Sequence, residues 1–312
     1  MVFLKILVFL NQLIIYYIFL YANLDKSIII YDLINNKKIN EIKNAHNEFI
    51  TSFRHYLDII NKRDLIISIS EMSNNIKLWN IKNFECLLNI VNINNMGILC
   101  AACFLNDNNN QIYILTSNGN DQPINYKPIK IYDLNGNKIK EINNSNEKTH
   151  FIDTYYDNNL SKYYIITGND GYIKSYDYNN NKLYHKYLDN DNSRHSSIII
   201  NDNNKNIKLI ESSSFGDIRI WNFHSGKLLK KLKISNYSLL GICLWDNEHI
   251  FVGCQDRTIK LIDINNNLII KNLISHDKEV CTIKKFNHPK YGVCLLSQGF
   301  RDDHIKLWKS IN

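Results

Sequence analysis

The sequence predicts an all-β fold built from seven repeated sheet units, and three observations carry that prediction. A short segment of β-branched or aliphatic residues, closing in most copies on an aromatic and then Asp or Asn, recurs seven times along the 312 residues. Its apolar residues alternate with period two, as in a half-buried strand and not a helix. Between the copies lie Asn-Asn and Asn-Gly pairs, which accept the left-handed backbone that tight hairpins need.

The copies are residues 27–32, Asn75–Asn80, 128–133, Tyr172–Asp177, Asp217–Asn222, Thr258–Asp263 and 304–309. Their corresponding closing positions are Tyr31, Trp79, Tyr132, Tyr176, Trp221, Ile262 and Trp308, spaced 48, 53, 44, 45, 41 and 46 residues apart. In the second copy Ile76 and Leu78 share one face, and Lys77 and Trp79 share the other. This pattern resembles the WD repeat, whose period is roughly 40–45 residues with a Trp-Asp signature closing the third strand. The resemblance covers essentially the whole chain. It implies one domain, a seven-bladed β-propeller with blades at approximately 1–44, 45–92, 93–143, 144–189, 190–234, 235–274 and 275–312.

Each repeat should hold two strands before the recurring segment and an outer one after it. In the sixth unit these are 239–244, 250–254 and 268–273, with Gln255, Asp256 and Arg257 forming the turn into the third strand. Outer strands are expected at 38–42, 86–91, 138–142, 183–188 and 228–232. No linker interrupts the array, and the longest irregular stretch is 118–127.

Residues 2–22 allow two readings. The stretch is nearly continuously apolar, broken by Lys5, Asn11 and Gln12, and so is long enough for a membrane anchor or a signal segment. The repeat instead places an inner strand at 2–9, a turn at Asn11 and Gln12, and a second strand at 14–21. Asp25 then precedes Tyr31 by six residues, as Asp170 precedes Tyr176, Asp256 precedes Ile262 and Asp302 precedes Trp308. The blade reading is preferred. At the other end only four residues follow Trp308, so the last blade is expected to be three-stranded, with 305–308 exposed as an edge. An upstream segment of roughly ten residues, a strand plus a turn, is the expected missing piece.

Composition narrows the functional classes. The net charge is +7, but the 31 lysines, six arginines and 49 asparagines reflect AT-rich codons, and no basic run reaches five residues. Nucleic-acid binding is therefore disfavoured. The seven cysteines show no paired framework. Cys100 and Cys103 lie three apart on an expected strand, so they face opposite ways and cannot easily share a metal. Buried free thiols in a reducing compartment are expected, with the cytoplasm as the location and the nucleus as the alternative. No phosphate-binding glycine loop, zinc spacing, nucleophile elbow or paired-carboxylate motif is present. The expectation is no catalytic residue, no metal and no cofactor.

The resemblance also implies a hydrogen-bonded set in each blade, drawn from a His, a Ser or Thr, a turn Asp and the Trp. The seventh unit has His276, Ser297, Asp302 and Trp308, and the fourth has His150, Thr167 and Asp170 with Tyr176 in place of Trp. The second keeps His46 and Trp79, and the fifth keeps His195 and Trp221. Their implied role is structural, because they belong to different blades and do not converge. Positions that contact peptide partners in such proteins correspond here to Leu24, Asn169, Gln255 and Arg301 before the turn Asp, and to Glu48, Phe49 and Lys278 near the inner strands. Arg301 is the first choice, since a guanidinium binds carboxylates bidentately and stacks on aromatics. The expected function is a non-catalytic scaffold for other proteins. A membrane-anchored or secreted propeller through residues 2–22 is the alternative, and a propeller enzyme is less favoured.

Overall fold

The computed structural model describes residues 7–8, 18–22, 25–70, 74–91, 99–107, 109–118, 128–143, 148–189, 194–201, 206–300, 302 and 305–309. Every regular element among them is a β-strand. The first sheet joins β1 (Leu7–Val8), β2 (Ile18–Ala22), β3 (Ile28–Asp32) and β4 (Lys37–Ile42) in that order. The second joins β5 (Ser52–Asp58), β6 (Arg63–Ser70), β7 (Asn75–Asn80) and β8 (Glu85–Ile90). The third holds β9 (Leu99–Asn106), β10 (Ile112–Asn118), β11 (Ile129–Tyr132) and β12 (Lys138–Ile142). The fourth holds β13 (Thr149–Asp157), β14 (Lys162–Asn169), β15 (Tyr172–Asp177) and β16 (Lys182–Leu188). In the fifth are β17 (Arg194–Asn201), β18 (Ile207–Ser213), β19 (Asp217–Asn222) and β20 (Leu228–Lys233). The sixth has β21 (Leu239–Leu244), β22 (His249–Cys254), β23 (Thr258–Asp263) and β24 (Leu268–Ile274). The last has three strands, β25 (Val280–His288), β26 (Gly292–Gly299) and β27 (Ile305–Lys309).

The chain is thus all-β, a β-propeller arrangement of small antiparallel sheets. The recurring segments are the third strands, as the repeat predicts, and the expected outer strands agree within a residue. Of the predicted strand at 2–9 only Leu7–Val8 is described, and the turn at Asn11 and Gln12 lies outside the described residues. Leu7 pairs with Leu20 and Val8 with Phe19, and β2 continues into register with β3, so the described part of the apolar stretch is sheet. Among the described residues no helix is long and apolar enough to cross a membrane. By contacts the chain divides into two compact units, 1–166 with 177–182, and 167–176 with 183–312.

The Asp or Asn that closes each third strand has a local cause. Asp32, Asn80, Asp133, Asp177, Asn222 and Asp263 each accept a backbone N–H two or three residues on, at 2.8–3.0 Å, forming the turn into the outer strand. The Asp263 carboxyl is held below its ordinary range by hydrogen bonds from Asn266. Burial pushes the Asp32 and Asp133 carboxyls up, but bonds from Asn35 and Asn137 outweigh it. Asparagine takes the left-handed turn positions, with φ between 49° and 62° at Asn36, Asn44, Asn74, Asn110, Asn181 and Asn267.

Successive sheets are buried on both faces. Along β6, Ile66 packs with Leu20, Ile28 and Ile30 of the first sheet, whereas Leu65, Ile67 and Ile69 pack with Ile112 and Ile114 of the third. In the second unit Ile210, Ile218 and Ile220 of the fifth sheet meet Ile242, Ile250 and Val252 of the sixth. The opposite face of the sixth, through Phe251 and Ile259, meets Val280, Ile283 and Leu295 of the last. Each fully buried Ile or Leu contributes about 1.5–3 kcal/mol. Two-sided burial is also why these strands read as unbroken apolar runs.

Candidate functional site

The most organised polar cluster lies in the last sheet. The His276 Nδ1–H donates to Asp302 Oδ2 at 2.5 Å, and His276 Nε2 stands 2.8 Å from Ser297 Oγ. Trp308 Nε1–H donates to the same Ser297 oxygen at 2.7 Å. Because Nδ1 carries the proton donated to Asp302, Nε2 of the neutral ring accepts from the Ser297 hydroxyl, whose oxygen in turn accepts from Trp308. Burial pushes the His276 pKa down, with Asp302 pulling the other way.

Ser, His and Asp in this order of contacts resemble a hydrolytic triad. The setting differs. Ser297 is fully buried, and its oxygen already accepts from Trp308, so no scissile carbonyl can approach. What this chain of bonds does is tie the segment entering β25 to β26, to the turn that follows it and to β27.

The second sheet repeats the motif. His46 Nε2 lies 2.6 Å from Ser68 Oγ, which accepts from Trp79 Nε1 at 2.7 Å. Ser68 was not singled out by sequence, although it precedes Trp79 by 11 residues as Ser297 precedes Trp308. His46 Nδ1 has no partner among the described residues, and its pKa is pushed down to about 4 by burial and then by the Lys77 charge.

The other two implied sets are less complete. Thr167 Oγ1 donates to Asn169 Oδ1 at 2.9 Å, and Asp170 is exposed. His150 sits half-buried on β13. In the fifth sheet, Glu211 pairs with Arg219 where Ser68 faces Lys77 and Ser297 faces Lys306. A carboxylate has thus replaced the hydroxyl. Arg219, wholly buried, lies 3.6 Å from Glu211 and donates to Asp189 at 2.7 Å and Asp217 at 3.4 Å. Trp221 is buried, its Nε1 has no partner among the described residues, and it packs edge-on against Tyr187. The side chain of His195 lies outside the described residues.

The surface candidates divide. Arg301 and Leu24 lie outside the described residues. Asn169 was expected at an exposed turn; instead it is fully buried, because its amide oxygen turns inward to the Thr167 hydroxyl. In the first unit Glu48 and Phe49 are half-buried, and Lys26 lies 3.8 Å from Glu48 while donating to the Asn47 carbonyl. In the second, Gln255 and Lys278 are exposed, and the turn that holds Gln255 is tied to the segment that holds Lys278 by Ser275 Oγ, which donates to the Arg257 carbonyl at 2.8 Å. Arg257 is exposed beside them and was not singled out by sequence.

Its turn is a repeated device. Lys26, Gly216 and Arg257 all have positive φ, at 68°, 80° and 70°. Their carbonyls accept from Ala45 N, from Ile234 N and Ser235 N, and from Ser275 N and His276 N. Each such turn ties one sheet to the segment entering the next. Asp256 locks the turn by accepting from Thr258 and Lys260, and those bonds hold its carboxyl below the ordinary range against the upward push of burial.

Among the described residues no group of three or more His, Cys, Asp or Glu side chains could hold a metal ion, and no disulfide joins the six cysteines whose side chains are described. Comparison of the sequence with protein-family models and with curated proteins finds no match.

Proposed function

We propose that the chain is a seven-bladed propeller of the WD-repeat type that acts as a non-catalytic scaffold, presenting its exposed turns to other proteins in the cytoplasm, with the nucleus as the alternative. One observation carries this reading. The repeat's polar residues are buried within the sheets, at Ser68 and Ser297, while charged and amide side chains stand exposed at the turn end, at Gln255, Arg257 and Lys278. Exposed cations flanked by amides suit an acidic or carboxylate-bearing peptide. Strand pairing of Leu7 and Val8 with Phe19 and Leu20 favours the blade over the membrane-anchored or secreted alternative.

Affinity capture with the full chain, followed by mass spectrometry, tests this. The reading expects at least one protein that a Gln255→Ala, Arg257→Glu, Lys278→Glu variant of unchanged circular dichroism no longer retains. Capture of the same proteins by both, together with a turnover activity in the purified chain, would overturn it.

A further inference from the structure

The positive-φ turns of the first, fifth and sixth sheets are built alike except at one position. In the first and sixth, the residue before Lys26 or Arg257 is an aspartate that caps the turn. Asp25 accepts from Ser27 N at 2.9 Å, and Asp256 accepts from Thr258 N at 3.1 Å. In the fifth sheet Phe215 stands at this position, before Gly216. Asp217 N there donates to Ser213 Oγ at 3.3 Å, so the phenyl ring caps nothing, and it is 51% exposed. Tyr237, beside it, is 56% exposed. The backbone holds the two together. A Cβ at Gly216 would stand 2.7 Å from the Tyr237 carbonyl oxygen, and Ser238 Oγ donates to the Ser214 carbonyl at 2.8 Å. Lys233 Nζ clamps the same turn by donating to the Phe215 carbonyl.

The run of turns continues into the sixth sheet. Gln255 N donates to the Ser238 carbonyl at 2.8 Å, and Gln255 Oε1 accepts from Ser238 N at 3.4 Å. That leaves Gln255 Nε2 without a partner among the described residues. Two residues on, the Arg257 guanidinium is exposed, with no hydrogen bond or ion pair among the described residues. The adjacent Asp256 carboxylate is committed to Thr258 and Lys260. Lys278 is exposed as well but has Asp277 and Glu279 on either side, so Arg257 is the cation left unopposed.

We propose that Phe215, Tyr237, Gln255 and Arg257 form a docking strip for an extended acidic peptide. The fifth and sixth sheets pack face to face. Packed sheets lie about 10 Å apart, the span of about three residues of extended chain, so the peptide carries an apolar side chain about three residues from an Asp or Glu. The apolar group lies on the two rings, the carboxylate pairs with the guanidinium, and Gln255 Nε2 donates to a peptide carbonyl between them. Charge complementarity selects this occupant: the strip offers an unpaired guanidinium and an amide donor, while its own carboxylate is already bound. The proposal rests on the scaffold reading and deepens it by naming what these turns take.

The test selects a phage-displayed library of random dodecapeptides on the immobilised full chain, then measures the enriched peptide by fluorescence polarisation. Selection should enrich an aromatic or aliphatic residue about three positions from Asp or Glu. Arg257→Glu should weaken binding at least about tenfold, and a peptide with Lys in place of its acid should bind that variant better than the original does. Phe215→Asp installs the cap found at Asp25 and Asp256, so it should keep the urea midpoint and still lose binding at least about tenfold. Tyr237→Ser, at an exposed position, should weaken binding without loss of circular dichroism. Three results would overturn the proposal: no enriched motif; binding that survives Arg257→Glu and Phe215→Asp alike; or binding of oligouridylate or phosphatidylserine vesicles, in place of peptide, that the same variants abolish. Lysate proteins still captured by Phe215→Asp, but lost from the Gln255→Ala, Arg257→Glu, Lys278→Glu variant, would sink the strip and leave the scaffold reading standing.

Discussion

Ser68→Ala removes one hydroxyl on which two buried groups depend. Ser68 is fully buried, and its partners His46 and Trp79 are 2% and 5% exposed, so water cannot replace it without opening the sheet. The substitution leaves Trp79 Nε1–H without its acceptor at 2.7 Å and His46 Nε2 without its partner at 2.6 Å. Each buried polar group left unsatisfied costs about 1–3 kcal/mol, so about 2–4 kcal/mol is expected for the pair. A stack of sheets of this size need not unfold in one step, so a global midpoint is a poor measure. Hydrogen exchange of the β6 and β7 amides reads the second sheet directly, and roughly 30- to 1000-fold faster exchange is expected there. Adding Trp79→Phe removes the orphaned donor, so the double variant should cost less than the two singles together by about 1 kcal/mol or more. An unchanged exchange rate, or strict additivity, would refute the account of the network.

Three further predictions follow from the same geometry. His46 is held neutral with a pKa of about 4, against 6.5 when unfolded, so its contribution is intact above pH 6.5 and is lost as pH falls toward 4. The full effect is about 3 kcal/mol, and a nuclear magnetic resonance titration of His46 near pH 6.5 would contradict it. Arg219→Met strips the cation from buried Glu211 and should cost about 3–5 kcal/mol in urea denaturation, with Glu211→Leu on that background recovering most of the loss. At Gly253 an added Cβ would stand 2.4 Å from the Val280 carbonyl oxygen, so Gly253→Ala should force the sixth and seventh sheets apart and cost more than about 2 kcal/mol. Gly292→Ala meets nothing within 4 Å and carries only the strain of φ +69°, about 1–2 kcal/mol, in the same denaturation assay.

The strands were legible where neighbouring sheets bury both faces, as along β6, which forces period-two aliphatics at Ile76 and Leu78 and the apolar run Leu65 to Ile67. The His276, Ser297, Asp302 and Trp308 set was legible because its spacing resembles that implied by the repeat pattern. Ser68 was not, since a lone serine in an aliphatic strand carries no local signal; its 11-residue spacing to Trp79 and its register against Lys77 identify it once Ser297 is known. Arg219 stands in its third strand where Lys77 stands in that of the second sheet, and nothing local marks it as buried. Its burial depends on Asp189 and Glu211, which lie 30 residues away and on the adjacent strand, and no local pattern joins them. Asn169 was misplaced for a related reason: next to a turn, asparagine suggests exposure, but a hydroxyl two residues earlier drew its amide inward.

The exposed aliphatics of the outer strands were also unread. Ile39, Leu87, Ile139, Leu229 and Ile270 look unrelated in sequence, and only the register shift shows that all five fill one bulge.

The most direct test of the propeller account is an experimental structure of the full chain by crystallography or electron cryomicroscopy. The account predicts seven sheets, with residues 2–9 and 14–21 as the two inner strands of the first and with the His46–Ser68–Trp79 and His276–Ser297–Trp308 bonds in place. Six sheets, with residues 2–22 leaving the array as a helix, would contradict it.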